Sequence, residues 1–395
     1  MSKRTYNVFL DTHTVSGILI SIGLYVIFLA GAFALFEENI DHWEANETLH
    51  AEYVALDYDR VLATVEAEGY HMHGRTLNIS QFEGSISVFS QPLRDSSLSP
   101  STLGTLADSV ASGPINLKLS EANYEIQSPE AEAEHEMTLG HFLVDLHWFE
   151  QIPTVGPYLS GFIAVFFLFV SITGIIVHWK KILSFFFTFR LKGSIKNLWT
   201  DAHTALGVIG LPFQIMFAIT GVLYALHGIM LIPYSVFGSE DQQAAMQAIF
   251  MPPSYEVEGM AAPTSINDFV ARSMEEIPGD QIVWYRLELR NYLDQNAHLS
   301  YQMGTTAKDG FLNDATGVYR LSDGALIEQK TTSEFPTYQM AIVPFILRLH
   351  HGDYGGYFLK FTYFLLALLT CFVIISGVMI WLKARDNKKY EARRN

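Results

Sequence analysis

Asp11-Thr12-His13-Thr14-Val15-Ser16-Gly17 and Asp201-Ala202-His203-Thr204-Ala205-Leu206-Gly207 carry one pattern, with an acid, a histidine and a glycine at the same spacing. Each opens a long apolar run, Thr14–Phe36 in the first case and Thr204–Ile232 in the second. A second pair, Leu146-His147-Trp148 and Leu349-His350-His351, precedes the runs Tyr158–Trp179 and Tyr357–Leu382. These two runs also end alike. Ser171-Ile172-Thr173-Gly174-Ile175 matches Ile375-Ser376-Gly377-Val378-Met379, and Trp and Lys follow each. The chain therefore reads as a tandem repeat of helix, outside module, helix. Both copies share one orientation, so their axis would run along the membrane normal.

Crossing a bilayer takes roughly 20 apolar residues, and all four runs meet that length. None contains Asp, Glu or Arg, and their one Lys is Lys360, near an end. Pro212 interrupts the third, which a membrane helix tolerates. Over 395 residues the chain is 49% hydrophobic and 17% charged, against about 25% charged in a typical soluble protein. Disorder and collagen-like repeats are excluded. A net charge of −16 argues against a nucleic-acid partner. The single cysteine, Cys371, lies inside an apolar run, which excludes a disulfide framework, a Cys-based zinc site and a Cys-ligated iron–sulfur cluster.

Lys and Arg set the orientation. Three short flanks hold 13 of the 25 basic residues: Lys3 and Arg4, then Lys180 to Lys196, then Lys383 to Arg394. The remaining 12, counting Lys360, stand against 37 acids in the two long loops, a balance of about −25. Both termini are thus expected in the cytoplasm and both large loops outside. Lys3, Arg4 and Ala32-Phe33-Ala34 imitate a secretory leader. The apolar run of about 23 residues exceeds a leader core of roughly 7–15, so it reads as a retained span.

The expected organisation is a four-helix membrane bundle carrying two outside α+β modules. Its segments are 1–36, a first module at 37–157, a span at 158–179, a basic loop at 180–202, a span at 203–232, a second module at 233–356, a span at 357–382 and a tail at 383–395. In the first module Asp57–Glu68 has helical character, and Arg75–Gln81 and Ser85–Gln91 read as strands joined near Gly84. In the second, Thr264 and Ser265 can cap a helix through Glu276. Strands follow at Gln281–Arg290, His298–Gly304, Val318–Leu321 and Leu326–Lys330, with turns at Asp309-Gly310 and Asp323-Gly324. The Ser/Pro-rich Asp95–Ser101 and the acidic Glu130–Glu136 read as loops.

Histidine must carry most of the chemistry, because the membrane region offers no other ligand set. His13, His178 and His203 lie at cytoplasmic span ends, and His147, His227 and His350 at outer ones, with His351 beside the last. Neutral imidazole is a good axial ligand for haem iron, and a four-helix bundle can hold a flat macrocycle between facing helices. Gly17 and Gly207 would leave room for the ring edge. A lone histidine at a span end is most often an interfacial polar residue. Here His13/His203 and His147/His350 are equivalent positions of the repeat, so each pair would reach a common depth. Two pairs at two depths suit an electron wire across roughly 30 Å of hydrocarbon. His178 and His227 have no repeat counterpart, and either could replace a member of its nearer pair. His71, His73 and His135 read as solvated, and His42 and His50 as candidates for the outer surface.

Metal transport is a rival reading, but it would want carboxylates or thiolates within the spans. No metalloprotease or nucleophile-elbow motif occurs. The loop Lys180–Leu198 mixes Phe185, Phe186, Phe187 and Phe189 with basic residues, as an interfacial segment or a docking surface for an electron donor. No dinucleotide or Walker motif appears, which points to a separate donor such as a reduced flavoprotein or a quinol.

The His-x-x-x-Gly openings at His13 and His203, the Leu-His pairs at 146–147 and 349–350, and Thr173-Gly174, Thr220-Gly221 and Ser376-Gly377 together resemble the PepSY-associated transmembrane family of bacterial inner-membrane proteins. The outside modules look like PepSY domains. Within that family the architecture is most similar to the ferric-siderophore reductases, di-haem b proteins that pass electrons to iron in the periplasm. The resemblance implies axial ligation by His13, His203, His147 and His350, two haem b groups, and ferric siderophores or other ferric chelates as substrates. Trp381 stands where the other half has His178, which leaves the cytoplasmic pairing open. The outer charge would favour neutral or cationic ferric complexes. Two alternatives stand beside this one: haem-borne electrons delivered to another protein, and a PepSY-type sensor or peptidase regulator with no redox activity.

Overall fold

The computed structural model describes residues 1–45, 55–82, 85–92, 112–127, 138–179, 182, 195–239, 255–275, 282–305, 314–331, 334 and 338–385. The chain divides into two compact units, one from residues 1–48, 137–247 and 342–395, the other from 49–136 and 248–341.

The first unit is helical. Its long helices are α1 (Lys3–Ala34), α5 (Gly156–His178), α6 (Ile195–Phe237) and α9 (Gly356–Arg385). Ser2 caps α1 by accepting from the Thr5 amide at 3.2 Å, and Pro157 sits in the first turn of α5, where no amide partner is lost. Each long helix packs on two others, closing a ring in the order α1, α5, α6, α9. Ile20, Leu24, Phe28, Phe167, Ala218, Ala367 and Cys371 fill its centre. Facing outward, Ile22 is 81% and Phe358 86% exposed. Apolar side chains of that size turned out on all sides match lipid rather than water. All four helices are long and apolar enough to cross a membrane.

Shorter helices attach to this ring. They are α2 (Glu37–Ala45), α4 (Leu139–Trp148) and α8 (Tyr338–His351), the last belonging to this unit from residue 342. Acids of α2 cap α4: Asp41 Oδ1 accepts from the Gly140 amide at 2.9 Å and Glu44 Oε2 from the Leu139 amide at 2.7 Å. Thr138 Oγ1 takes the His141 amide at 3.2 Å, so the exposed donors of the first turn find partners. After α8, Gly352 adopts φ 66°, and a Cβ there would meet the Tyr363 ring at 2.7 Å. The chain can turn into α9 only with glycine at that point.

The second unit contains α3 (Tyr58–Ala67), α7 (Ile266–Glu275) and an antiparallel sheet of β1 (Leu77–Phe82), β2 (Ser85–Ser90), β3 (Ile115–Ser120), β4 (Ile282–Arg290), β5 (His298–Thr305), β6 (Ala315–Arg320) and β7 (Leu326–Lys330). The strand order is β3-β2-β1-β4-β5-β6-β7. The two helices cap each other. Asp59 accepts from the Ser265 hydroxyl and the Ile266 amide, both at 2.7 Å, while Asn267 Oδ1 accepts from the Tyr58 amide at 2.8 Å. Val61, Val65, Ile79, Val88, Ile266, Leu287 and Leu299 belong to the shared core.

Two expectations change here. The two loops do not form two separate modules: β1 pairs with β4, with Ile79 opposite Leu287, and one seven-stranded sheet runs through both. The segments given to the modules also shrink, because α2, α4 and the end of α8 pack with the membrane helices. The sequence reading omitted β3. Both helices and the other strands stand within about two residues of their expected bounds, the ordinary latitude at element ends, except β6, which begins at Ala315 rather than Val318. The Asp323-Gly324 turn is present, with Gly324 at φ 70°. The expected turns at Gly84 and Asp309-Gly310, the stretches Asp95–Ser101 and Glu130–Glu136, nearly all of loop 180–194 and tail 386–395 lie outside the described residues.

Candidate functional site

The helical ring encloses two cavities. The first, of about 520 Å³, is lined by His13 of α1, His203 of α6 and His178 of α5. The second, of about 440 Å³, is lined by His147 of α4, with His350 and His351 of α8. Leu24 and Phe167 line both and form the partition between them.

Each cavity brings one expected pair together. The ring centroids of His13 and His203 are 6.3 Å apart, and those of His147 and His350 are 6.0 Å apart. Imidazole nitrogen binds a metal at about 2 Å, so rings at this separation would have room for one metal between them.

The hydrogen bonds fix which nitrogen faces the cavity. His13 Nδ1–H donates to Val170 O at 3.0 Å, and His203 Nδ1–H to Val373 O at 2.9 Å. The Thr173 and Ser376 hydroxyls lie at 3.3 and 3.1 Å from the same nitrogens. His147 Nδ1–H donates to Ile27 O at 2.7 Å. His350 Nδ1 meets Thr220 Oγ1 at 2.8 Å, and because that hydroxyl donates to Met216 O, its oxygen is the acceptor. A carbonyl oxygen can only accept, so Nδ1 carries the proton in these rings. Nε2 is left as a bare lone pair, and among the described residues it makes no hydrogen bond in any of the four. A tied Nδ1–H is the arrangement that orients a ligating imidazole and raises its basicity.

Glycines make the space. A Cβ on Gly174 would lie 3.2 Å from His13 Cε1, and one on Gly377 3.1 Å from His203 Cε1. A Cβ on Gly31 would lie 2.6 Å from His147 Cε1. Gly17 and Gly207 line the first cavity, each with one valine methyl at 3.9 Å from its added Cβ. At the first cavity the contacts match, with Gly174 against His13 and Gly377 against His203, whereas at the second His147 uses a carbonyl and His350 a hydroxyl. The two pairs also lie at different depths. His203 and Thr220 are about 25 Å apart along α6, and His13 and Ile27 about 21 Å apart along α1, at 1.5 Å rise per residue.

The remaining histidines sort differently. His227 is exposed, contacts Tyr224 O at 2.8 Å and lines neither cavity. His178 lines the first cavity beside the pair. His73 is not solvated as expected: its Nε2 meets Asp294 at 2.9 Å, with its side chain 14% exposed. His42 is buried rather than on the surface, while His50 and His135 lie outside the described residues. The sequence reading missed Thr220, Thr173 and Ser376 as partners of the rings, although each was visible as a hydroxyl residue directly before a glycine.

What the arrangement can do follows from its count of donors. Two imidazoles facing one cavity would supply two ligands to one metal and would leave its other positions to a macrocycle. Among the described residues no three His, Cys, Asp or Glu side chains converge as a cage for a bare ion. The cavities fall within the usual volume of small-ligand sites, roughly 300–1,000 Å³, and their inner walls are mostly apolar. These residues fit a haem.

An uncharacterised protein of Pseudomonas aeruginosa is 22% identical over 255 residues, which cover 62% of this chain and 63% of that one. The chain thus spans under two thirds of the length of this curated relative. The family described as the PepSY-associated TM region matches residues 10–384, and with that match over almost its whole length the chain belongs to this family of multi-pass membrane proteins.

Proposed function

We propose that the protein is a transmembrane electron-transfer protein that reduces ferric chelates, ferric siderophores among them, outside a bacterial inner membrane. In this reading both termini are cytoplasmic, the sheet unit is periplasmic, and the chain is a tandem duplication. The observation that supports it most is the tied Nδ1–H of all four histidines, which turns two pairs of Nε2 lone pairs toward two cavities at two depths.

Haem b bound at each pair supplies one-electron chemistry at two levels of the bilayer. The chain's own part is placement. Val170, Val373, Ile27 and Thr220 hold the imidazole protons on Nδ1 and fix the ring planes. Leu24 and Phe167 keep water from passing between the compartments. Charged residues stand at the rims, with Asp11 and Arg385 on the first cavity and Glu37, Glu38, Asp353 and Lys360 on the second. A cytoplasmic flavoprotein or a quinol serves as donor, and the acidic periplasmic surface favours neutral or cationic ferric complexes.

A dithionite-reduced minus oxidised spectrum of purified protein, with pyridine haemochrome quantitation, tests this reading. About two haem b per chain with low-spin α bands is expected from two bis-imidazole sites. Folded protein without haem, made with ample haem supply, overturns it and leaves the sensor or peptidase-regulator reading.

A further inference from the structure

Lys360 is the one charged residue within the four apolar runs. A cation in a span is costly and marks function by default, unless it snorkels to the interface. Snorkelling explains why Lys360 is tolerated near a span end. It does not explain its place on the wall of the second cavity, with His147 and His350. Two of the three acids of that rim are engaged elsewhere: Glu37 faces His141 at 3.5 Å, and Asp353 accepts from Arg348 at 3.2 Å; the third, Glu38, is exposed and makes no ion pair with Lys360. Among the described residues, the Lys360 ammonium has neither an ion pair nor a hydrogen bond. A half-buried ammonium on a cavity wall lacks only an anion.

The geometry points to Lys360 as the anchor for a carboxylate of the ligand in the second cavity, which, on the function proposed above, is a carboxylate side chain of the haem. Among the described residues the first cavity has no equivalent lysine. Its cationic rim residue, Arg385, lies over the Trp381 ring at 3.9 Å and donates to Trp381 O at 3.3 Å. The two sites therefore hold their ligands differently, and only the second depends on a lysine–carboxylate contact.

Haem transfer from the full-length holoprotein to excess apomyoglobin, followed by absorbance, tests the assignment. Lys360→Met should speed one of two loss phases about tenfold, the worth of one charge-assisted hydrogen bond, and leave the other unchanged. Lys360→Arg should restore it. Wild-type protein loaded with haem dimethyl ester should behave like Lys360→Met, and the ester should add nothing further in that variant. Equal loss from wild type and Lys360→Met, or additive effects of ester and substitution, overturns the anchor while leaving the two-haem reading intact. If the carboxylate belongs to a diffusing chelate instead, Lys360→Met raises KM for ferric citrate with haem loss unchanged, which also overturns it. Wild-type protein with no haem overturns both.

Discussion

A histidine in a membrane bundle becomes a ligand only when one ring nitrogen is spoken for. Without the acceptor the imidazole can rotate and can carry its proton on either nitrogen, so the lone pair is not held toward the cavity. Thr220 supplies that acceptor for His350, and it does so with a side chain, which makes it open to test. Thr220→Val keeps the shape and leaves the His350 Nδ1–H without a partner. A loss of about 10- to 100-fold in haem affinity is expected, the usual cost of removing an outer-shell partner, while Thr220→Ser should retain most of it. Haem titration of the apoprotein reads the difference, and equal affinity in Val and Ser variants would show that the hydroxyl does not orient the ring. The other three histidines use carbonyls of Ile27, Val170 and Val373, which any residue offers. Such partners leave no trace in a sequence. The imidazoles themselves were legible because like motifs mark them in the two halves of the sequence, and His13 with His203 and His147 with His350 are the pairs the fold brings together.

Whole elements were legible to the degree that their periodicity was local. The strand at His298–Thr305 and the capped helix at Ile266–Glu275 announce themselves by alternation and by Ser265, and both stand where the pattern puts them. The strand Ile115–Ser120 has the same alternation, Ile115, Leu117 and Leu119 against Asn116, Lys118 and Ser120, but only six residues of it. Element pairing carries electrostatics that no single element shows. Asp294 joins the turn between β4 and β5 to the segment before α7. Burial alone would raise its carboxyl, but amides of Asn296, Glu258 and Gly259 and the His73 ring hold it below the ordinary value. His298 and His71 are pushed down by burial. A histidine with a depressed folded pKa takes up a proton more readily when unfolded, so its stability contribution is present above about pH 6.5 and is lost as pH falls below that. The Asp294 contribution persists to lower pH and is lost as pH drops below about 4, through its folded value. Amide exchange in β4 and β5 of the full-length protein, corrected for intrinsic rates, should therefore speed up between pH 7.5 and 5.5. His298→Gln should flatten that change, and a pH-independent exchange rate would remove the histidines from the account.

At the scale of the molecule, the unexpected feature is that two loops separated by more than a hundred residues of chain and two membrane crossings build one sheet. An expectation of two like modules leaves open whether they stand apart or pair. That choice is made by long-range contacts, here the register of Leu77–Ser80 on Arg286–Leu289. Among the described residues neither half holds a sheet of more than four strands, and α3 and α7 cap each other across the halves, so each loop completes the other. The consequence is cooperativity. Leu287 is fully buried on β4 opposite Ile79 of β1, and Leu287→Ala should cost about 2–5 kcal/mol through lost transfer energy and the cavity left behind. In one continuous body that loss is shared. Amide exchange should rise in β2 and β3, contributed by the first loop, as well as in β5 and β6 of the second. Two independent modules would confine the change to residues 282–330. Exchange measured by fragment on the full-length Leu287→Ala protein separates the cases, because a first loop that keeps wild-type protection would mean the β1–β4 seam carries no stability.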